Sequence, residues 1–367
     1  MTLPLTAPPK HICLLRLSAL GDVSNVVPVV LAIQKAWPET RITWITGKTE
    51  HSLLKGLSGV EFVVYDKKTG LKGMRELWQS LKDTEFDLLL HMQAALRASL
   101  LSIGIKAKIK LGFDRDRAKD WQWLFTSHKI TARKNSHVVE GFYDFLHALG
   151  IAPESPQQLQ WRLPVSEQAR QEATEKCDFE RYVLISPCSS QRARNFRNWT
   201  VEGYVAVVRH LYQHYGIKAV ITGGNRDIEH QYARDIAEQA GTPVLNLVAN
   251  TSLQGLIVLI ERAQLVIAPD SGPVHFANAV NTPVIGLFAT SNVHRTGPYL
   301  WQDWVVNKYP QAAAQFMNKT VAELSWGQRV RHPHAMDVIK TEEVLAQIDR
   351  LLQHSAFTDT GRKVTVS

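Results

Sequence analysis

The feature that most constrains the fold is an alternation of short strand-like runs with longer stretches of helical periodicity, which occurs twice along 367 residues. In the first half, residues 11–17, 41–46, 61–65 and 87–91 read as strands and 109–113 as a short apolar segment. Residues 23–37, 51–57, 70–81 and 94–102 carry a helical period between them, and 138–149 closes the series. Strands that alternate with helices imply a parallel sheet covered on both faces. Periodicity fades between Gly150 and Pro164, where Pro153 and Pro156 accompany Gln and Ser in a linker-like composition. The pattern then restarts, with strands at 182–186, 218–222, 244–246, 265–268 and 284–288 and helices at 201–214, 228–240, 253–262 and 274–280. A last helix is expected at 341–353. The expected class is α/β, with doubly wound domains at 1–160 and 161–335, a C-terminal helix within 336–354 and a polar tail at 355–367. Two such domains face a cleft in this reading, and open α/β sheets bind ligands in the loops beyond the carboxyl ends of their strands.

Composition narrows the partners. Hydrophobic content of 45% and charged content of 21% are those of an ordinary folded chain. Arg16 and Asp22 interrupt the apolar run near the start and Asp270 the one near Ile267, so neither reaches bilayer-spanning length. Residues 1–10 lack a signal-peptide pattern, and a cytoplasmic protein is expected. Cys13, Cys177 and Cys188 form no C-x-x-C pair, H-E-x-x-H is missing and the 14 histidines are scattered, so neither metal nor cofactor is expected. The G-x-S-x-G elbow of α/β-hydrolases is missing too. Net charge of +8 favours an anionic partner. Basic residues crowd 106–134, where the only acids are Asp114, Asp116 and Asp120; the stretch reads equally as a solvated face or a binding surface. It holds no RNA-binding signature, so nucleic acid is not the expected partner, and a non-catalytic nucleotide-sugar or nucleic-acid-binding protein is the distant alternative.

Three loops that follow strands carry chemistry. Ser18-Ala19-Leu20-Gly21-Asp22 leads from the first strand into a helix; it is not G-x-G-x-x-G, which disfavours hydride transfer. Asp22 has two readings: a carboxylate that stabilises a helix start, or a general base at the mouth of the cleft. In the second half a strand runs into Asp270-Ser271-Gly272-Pro273-Val274-His275 and a helix. Gly272 permits a tight turn, Ser271 supplies a hydroxyl, and the free N–H groups of the helix start suit a diphosphate within reach of His275. Residues 186–199 add Ser189, Ser190 and the arginines Arg192, Arg194 and Arg197, which suit phosphate oxygens; Trp199 is expected to pack. Gly223-Gly224-Asn225 forms a further loop at the same edge.

From about Ile12 to Leu352 the sequence resembles the heptosyltransferases of glycosyltransferase family 9. The anchors are Ser18-x-Leu20-Gly21-Asp22, Ser189-Ser190 with Arg197-x-Trp199, and Asp270-Ser271-Gly272-x-x-His275-x-Ala277-x-Ala279 followed by 283–288. The resemblance implies a GT-B architecture, an ADP-heptose donor in the C-terminal domain and an acceptor in the N-terminal domain. Asp22 matches the family's catalytic base, and Ser189, Ser190, Asp270, Ser271, Gly272 and His275 match donor contacts. Arg197 stands where relatives commonly have lysine, and Ala289-Thr290 departs from the usual residues after the last strand. Residues 112–121 look like the acceptor loop, so Arg115, Arg117 and Lys119 are expected to meet Kdo-lipid A or inner-core lipopolysaccharide, which is anionic, with peripheral contact to the inner membrane. The 186–199 loop resembles that of heptosyltransferase I enzymes; heptosyltransferase II or another family 9 transferase is the alternative.

Overall fold

A computed structural model describes residues 3–152, 161–189 and 195–353. The chain divides into two compact units, Met1–Pro164 and Val165–Ser367. The first unit runs β1 (His11–Leu15), α1 (Leu20–Ala36), β2 (Arg41–Gly47), α2 (Lys48–Leu54), β3 (Val60–Tyr65), α3 (Gly70–Ser80), β4 (Phe86–His91), α4 (Leu96–Ile103), β5 (Ala107–Gly112), β6 (His128–Lys129) and α5 (Val138–Leu149). Its described strands form one parallel sheet in the order β3-β2-β1-β4-β5-β6. Ile12 to Leu15 and Leu88 to Leu90 are wholly buried, as expected of central strands with helices on both faces.

The second unit runs α6 (Glu167–Lys176), β7 (Tyr182–Ile185), α7 (Val201–Tyr215), β8 (Lys218–Ile221), α8 (Asp227–Ala240), β9 (Val244–Asn246), α9 (Leu253–Arg262), β10 (Val266–Pro269), α10 (Gly272–Ala279), β11 (Val284–Phe288), α11 (Val293–Thr296), β12 (Val306–Asn307), α12 (Tyr309–Met317) and α13 (Thr341–Gln353). The described strands again form one parallel sheet, β12-β11-β10-β7-β8-β9. Renumbered from its own first strand, this is the order of the first unit, the doubly wound arrangement of dinucleotide-binding folds. Val344, Ile348 and Leu351 of α13 enter the second unit's core, and Trp199 donates its indole N–H to the Ile339 carbonyl at 3.1 Å, in edge contact with Tyr204.

Several local expectations shift for identifiable reasons. The periodicity predicts that α1 starts at Val23, but it starts at Leu20, which moves Asp22 into its first turn. Helix α2 begins at Lys48 rather than His51 because β2 runs straight into it at Gly47. A Cβ on Gly47 would lie 2.5 Å from the Leu17 carbonyl and 2.3 Å from the Glu50 carboxylate, so glycine is required at this approach of β1 and β2. Elements β6 and β12, two residues each, and α6, with only Ala169 and Ala173 buried, leave too little pattern to detect. The 355–367 tail and Pro153 and Pro156 of the linker lie outside the described residues.

Candidate active site

In each sheet the order reverses direction between two central strands, β1 and β4 in the first unit, β7 and β10 in the second. Loops diverge at such a switch point and leave a crevice at the carboxyl edge. Most of the residues singled out from sequence fall at these two places, whereas Arg115, Arg117 and Lys119 follow β5. Asp22 follows β1; Ser189 and Arg197 follow β7; Asp270, Ser271, Gly272 and His275 follow β10.

In the first unit the β1 loop is pinned from both sides. The Gln93 side-chain carbonyl, after β4, accepts from the Leu17 and Ser18 N–H groups at 2.6 and 3.1 Å, and Trp44 of β2 donates to the Arg16 carbonyl at 3.2 Å. Arg16 donates to the Met92 carbonyl at 2.6 Å and lies over the Phe142 ring, 5.2 Å from its centroid. Held this way, its guanidinium stands 2.5 Å from Asp22 Oδ2, the same oxygen that accepts the Ala19 N–H at 3.2 Å. Asp22 is thus fixed by a largely buried cation and by the helix start, both of which complement its charge, while a third of its side chain remains exposed. At the end of β2, Glu50 is buried against Gly47, with one oxygen 3.5 Å from Lys67 Nζ and the other without a hydrogen-bond partner among the described residues.

The basic loop after β5 separates into two roles. Arg117 is turned inward: it binds the Asp114 carboxylate through Nε, donates to Asp144 Oδ2 at 2.5 Å and to the Thr131 carbonyl at 2.7 Å. Asp114 and Asp144 are buried, so Arg117 is the clamp that shapes the loop. Arg115 and Lys119 are exposed, with Arg115 over the Trp123 ring. The loop is locked to β4 through Gln122, whose amide donates to His91 Nδ1 at 2.9 Å and to the His91 carbonyl at 2.7 Å. Burial lowers the His91 pKa to about 3, so the ring is a neutral acceptor at physiological pH.

In the second unit Asp270 is buried and organises the β10 loop. Its Oδ2 accepts from Ser291 Oγ at 2.8 Å and lies 3.2 Å from Arg197 and 3.6 Å from Arg329. Arg197 also donates to the Asp270 carbonyl at 2.7 Å and to Asn195 Oδ1 at 2.6 Å. Asp270 therefore positions two guanidiniums. Ser271 is the N-cap of α10, yet its hydroxyl makes no capping bond and is buried without a partner. That leaves a helix start whose N–H groups no side chain caps, half-buried Gly272 and His275 in its first turns, and cations behind it, an arrangement suited to a diphosphate. Ser189 is buried, donates its N–H to Asn198 Oδ1 at 2.9 Å and accepts from the Asn195 amide at 2.7 Å; Ser190, Arg192 and Arg194 lie outside the described residues. After β8, Glu229 accepts the Gly224 N–H at 2.8 Å. Sequence reasoning misses Arg16, which Met92 holds from 76 residues away, and Gln93 and Arg329, each far along the chain from its partner. Among the described residues no cluster of three or more His, Cys, Asp or Glu side chains is placed to hold a metal ion, and no helix is long and apolar enough to cross a membrane.

Residues 74–325 match the model of glycosyltransferase family 9 (heptosyltransferase). The chain belongs to glycosyltransferase family 9. It is therefore a glycosyltransferase, an enzyme rather than a binding protein of similar fold. It is 40% identical to the lipopolysaccharide core heptosyltransferase OpsX of Haemophilus influenzae, across 94% of this chain and 98% of the relative. It is 26% identical to lipopolysaccharide heptosyltransferase 3 of Escherichia coli K12, across 92% and 96%. Among solved structures, a family 9 glycosyltransferase from Veillonella parvula aligns with a TM-score of 0.75 and 22% identity over 94% of this chain and 98% of that one. The Escherichia coli heptosyltransferase WaaC with ADP aligns with a TM-score of 0.69 and 17% identity over 93% and 99%. Two doubly wound domains and these likenesses make the fold GT-B.

Proposed function

We propose that this enzyme transfers a heptose from ADP-heptose to the Kdo and inner-core region of lipopolysaccharide, as the first heptose added, with inversion at the anomeric carbon. The observation that carries the reading is the 40% identity to a core heptosyltransferase along nearly all of both chains. Asp22 is the general base: it takes the proton of an acceptor hydroxyl as that oxygen attacks the anomeric carbon. The bond from that carbon to the β-phosphate oxygen breaks, and its electron pair leaves with ADP. The start of α10, Arg197 and His275 stabilise the charge that grows on the diphosphate, with Ser189, Ser190, Ser271 and Gly272 as further donor contacts and Asp270 as their organiser. Side chains and helix N–H groups supply the positive charge, so the reaction needs no metal ion or cofactor. Arg115 and Lys119 meet the anionic acceptor, on a loop held by Arg117. The enzyme works in the cytoplasm, at the inner face of the inner membrane.

The test is to incubate the purified protein with ADP-heptose and with lipopolysaccharides truncated before and after the first heptose. The expected result is a mass gain of one heptose on the heptose-free acceptor. A gain only on the acceptor that already carries heptose supports the second reading, transfer of a later heptose, which the 26% identity to heptosyltransferase 3 favours. No gain on either acceptor refutes both.

A further inference from the structure

The carboxyl edge of the first sheet carries apolar side chains outside any core. Leu71 stands after β3, Leu96 after β4, and Trp121 and Leu124 after β5; Leu71, Trp121 and Leu124 are 70%, 64% and 63% exposed. Their exposure is built into the turn. Gln122 is buried and hydrogen-bonded to His91, which fixes the turn's register and leaves Trp121 and Leu124 facing outward. Asp120 and Trp121 have φ of 51° and 56°, a left-handed conformation costly for a tryptophan that would otherwise seek burial.

Exposed cations lie close to these side chains in the chain. Lys68 lies near Leu71 in sequence, Arg97 follows Leu96, and Arg115 sits 5.3 Å from the Trp123 ring centroid; all three are exposed. Of the neighbouring acids, Asp114 binds Arg117 and Asp120 accepts the Leu96 N–H at 3.1 Å, while Asp116 is exposed. Strands β3 and β5 are four places apart in the sheet. At about 4.8 Å per strand the two sets of side chains stand about 19 Å apart, with the β1 loop of Asp22 between them. Separated apolar tips with exposed basic residues near them in the chain suit a bilayer interface, where tryptophan sits at headgroup depth and basic side chains meet lipid phosphates, better than they suit the continuous apolar patch of a protein contact.

We propose that this edge docks on an anionic phospholipid surface, Trp121, Leu124 and Leu71 entering the headgroup boundary. The inference rests on the proposed function only in that a membrane-anchored acceptor gives the docking a purpose. The experiment is flotation of the full-length protein with vesicles of phosphatidylcholine alone or with about a quarter phosphatidylglycerol, neither containing lipopolysaccharide. The expected result is binding to the anionic vesicles that weakens with salt, with a loss of about tenfold or more in partition for Trp121→Ser/Leu124→Ser. Arg97→Glu, on the exposed face of α4, should weaken anionic binding several-fold without touching the apolar tips. ADP affinity, a readout of the other unit, should stay at the wild-type value in both variants. Wild-type protein that does not float with anionic vesicles overturns the proposal. So does full binding by both variants, or a concentration-dependent dimer that Trp121→Ser/Leu124→Ser abolishes. Vesicle binding without heptose transfer would refute the proposed function and leave the docking intact.

Discussion

His91 offers a direct test of how the basic loop is held. The ring is buried and neutral because desolvation lowers its pKa from 6.5 to about 3, and its Nδ1 accepts from Gln122. In the unfolded chain the ring protonates below about pH 6.5, whereas in the folded chain it stays neutral until about pH 3. Between those values the unfolded state binds more protons, so stability falls on acidification, by about 1.4 kcal/mol per pH unit. At pH 5, a unit and a half below the unfolded value, His91 should remove about 2 kcal/mol relative to neutral pH. The variant His91→Asn keeps an acceptor near Gln122 but cannot titrate. Urea unfolding of both proteins at about pH 7 and about pH 5, followed by fluorescence, should show the extra loss only in the wild type; His11 and His51, whose pKa values burial also lowers, cancel in the comparison. In parallel, the histidine NMR resonance missing from the variant should stay at its neutral position down to about pH 4 in the wild type. Equal acid sensitivity in the two proteins, or a His91 signal that titrates near pH 6.5, would refute the reasoning.

Further outcomes are expected. Asp22→Asn should lower kcat by about 10²–10⁴-fold with ADP affinity unchanged, measured by coupled kinetics and calorimetry. Arg197→Ala and His275→Ala should each weaken ADP binding by about 1–3 kcal/mol, and Arg329→Ala should weaken ADP but not adenosine, since its partner Asp270 belongs to the diphosphate loop. Arg115→Glu/Lys119→Glu should raise the KM for lipopolysaccharide and spare ADP affinity, whereas Arg117→Ala should cost about 3 kcal/mol of stability by leaving the buried Asp114 without its cation and Asp144 with Arg133 in place of two, a loss that thermal unfolding reads. EDTA should leave turnover unchanged, and activity that returns only on adding a divalent cation would count against a charge system made of side chains alone.

How far the fold is legible depends on how each element is stabilised. Strands such as β4, with Leu88, Leu89 and Leu90 buried, announce themselves because a central parallel strand must be apolar on both faces. Helix α5 is readable to the residue, since an amphipathic face ends at Gly150, which takes a left-handed φ of 83°. Edge strand β12 is two residues long and borrows its order from β11, so no local signal exists. The start of α1 is misread for a related reason. Leu20 and Gly21 join the helix because the loop ahead of them is held by Trp44 of β2, 28 residues from its partner, and by Gln93 after β4, 75 residues or more away, a constraint that leaves no periodicity behind.

The candidate site divides along the same line between local and distant causes. Residues beyond strand ends, such as Asp22 and Asp270 to His275, are legible because a parallel sheet directs its chemistry to one edge. Their partners are not, because Arg16 reaches Asp22 only through a loop held by Met92 and Phe142, and Arg329 reaches Asp270 across 59 residues. The geometry of Asp22 accommodates both of its readings. The carboxylate does cap a helix start, through the Ala19 N–H, and it does pair with a buried cation, yet both contacts fall on Oδ2 of a side chain still one-third exposed. A base must be held in one rotamer if it is to meet a hydroxyl at hydrogen-bond distance, and the contacts that make Asp22 look structural are the ones that hold it. A purely structural Asp22 predicts that its amide variant loses thermal stability and keeps turnover well below the melting point. A base predicts that turnover falls even where the variant is fully folded, and that separation of stability from kcat is what decides between them.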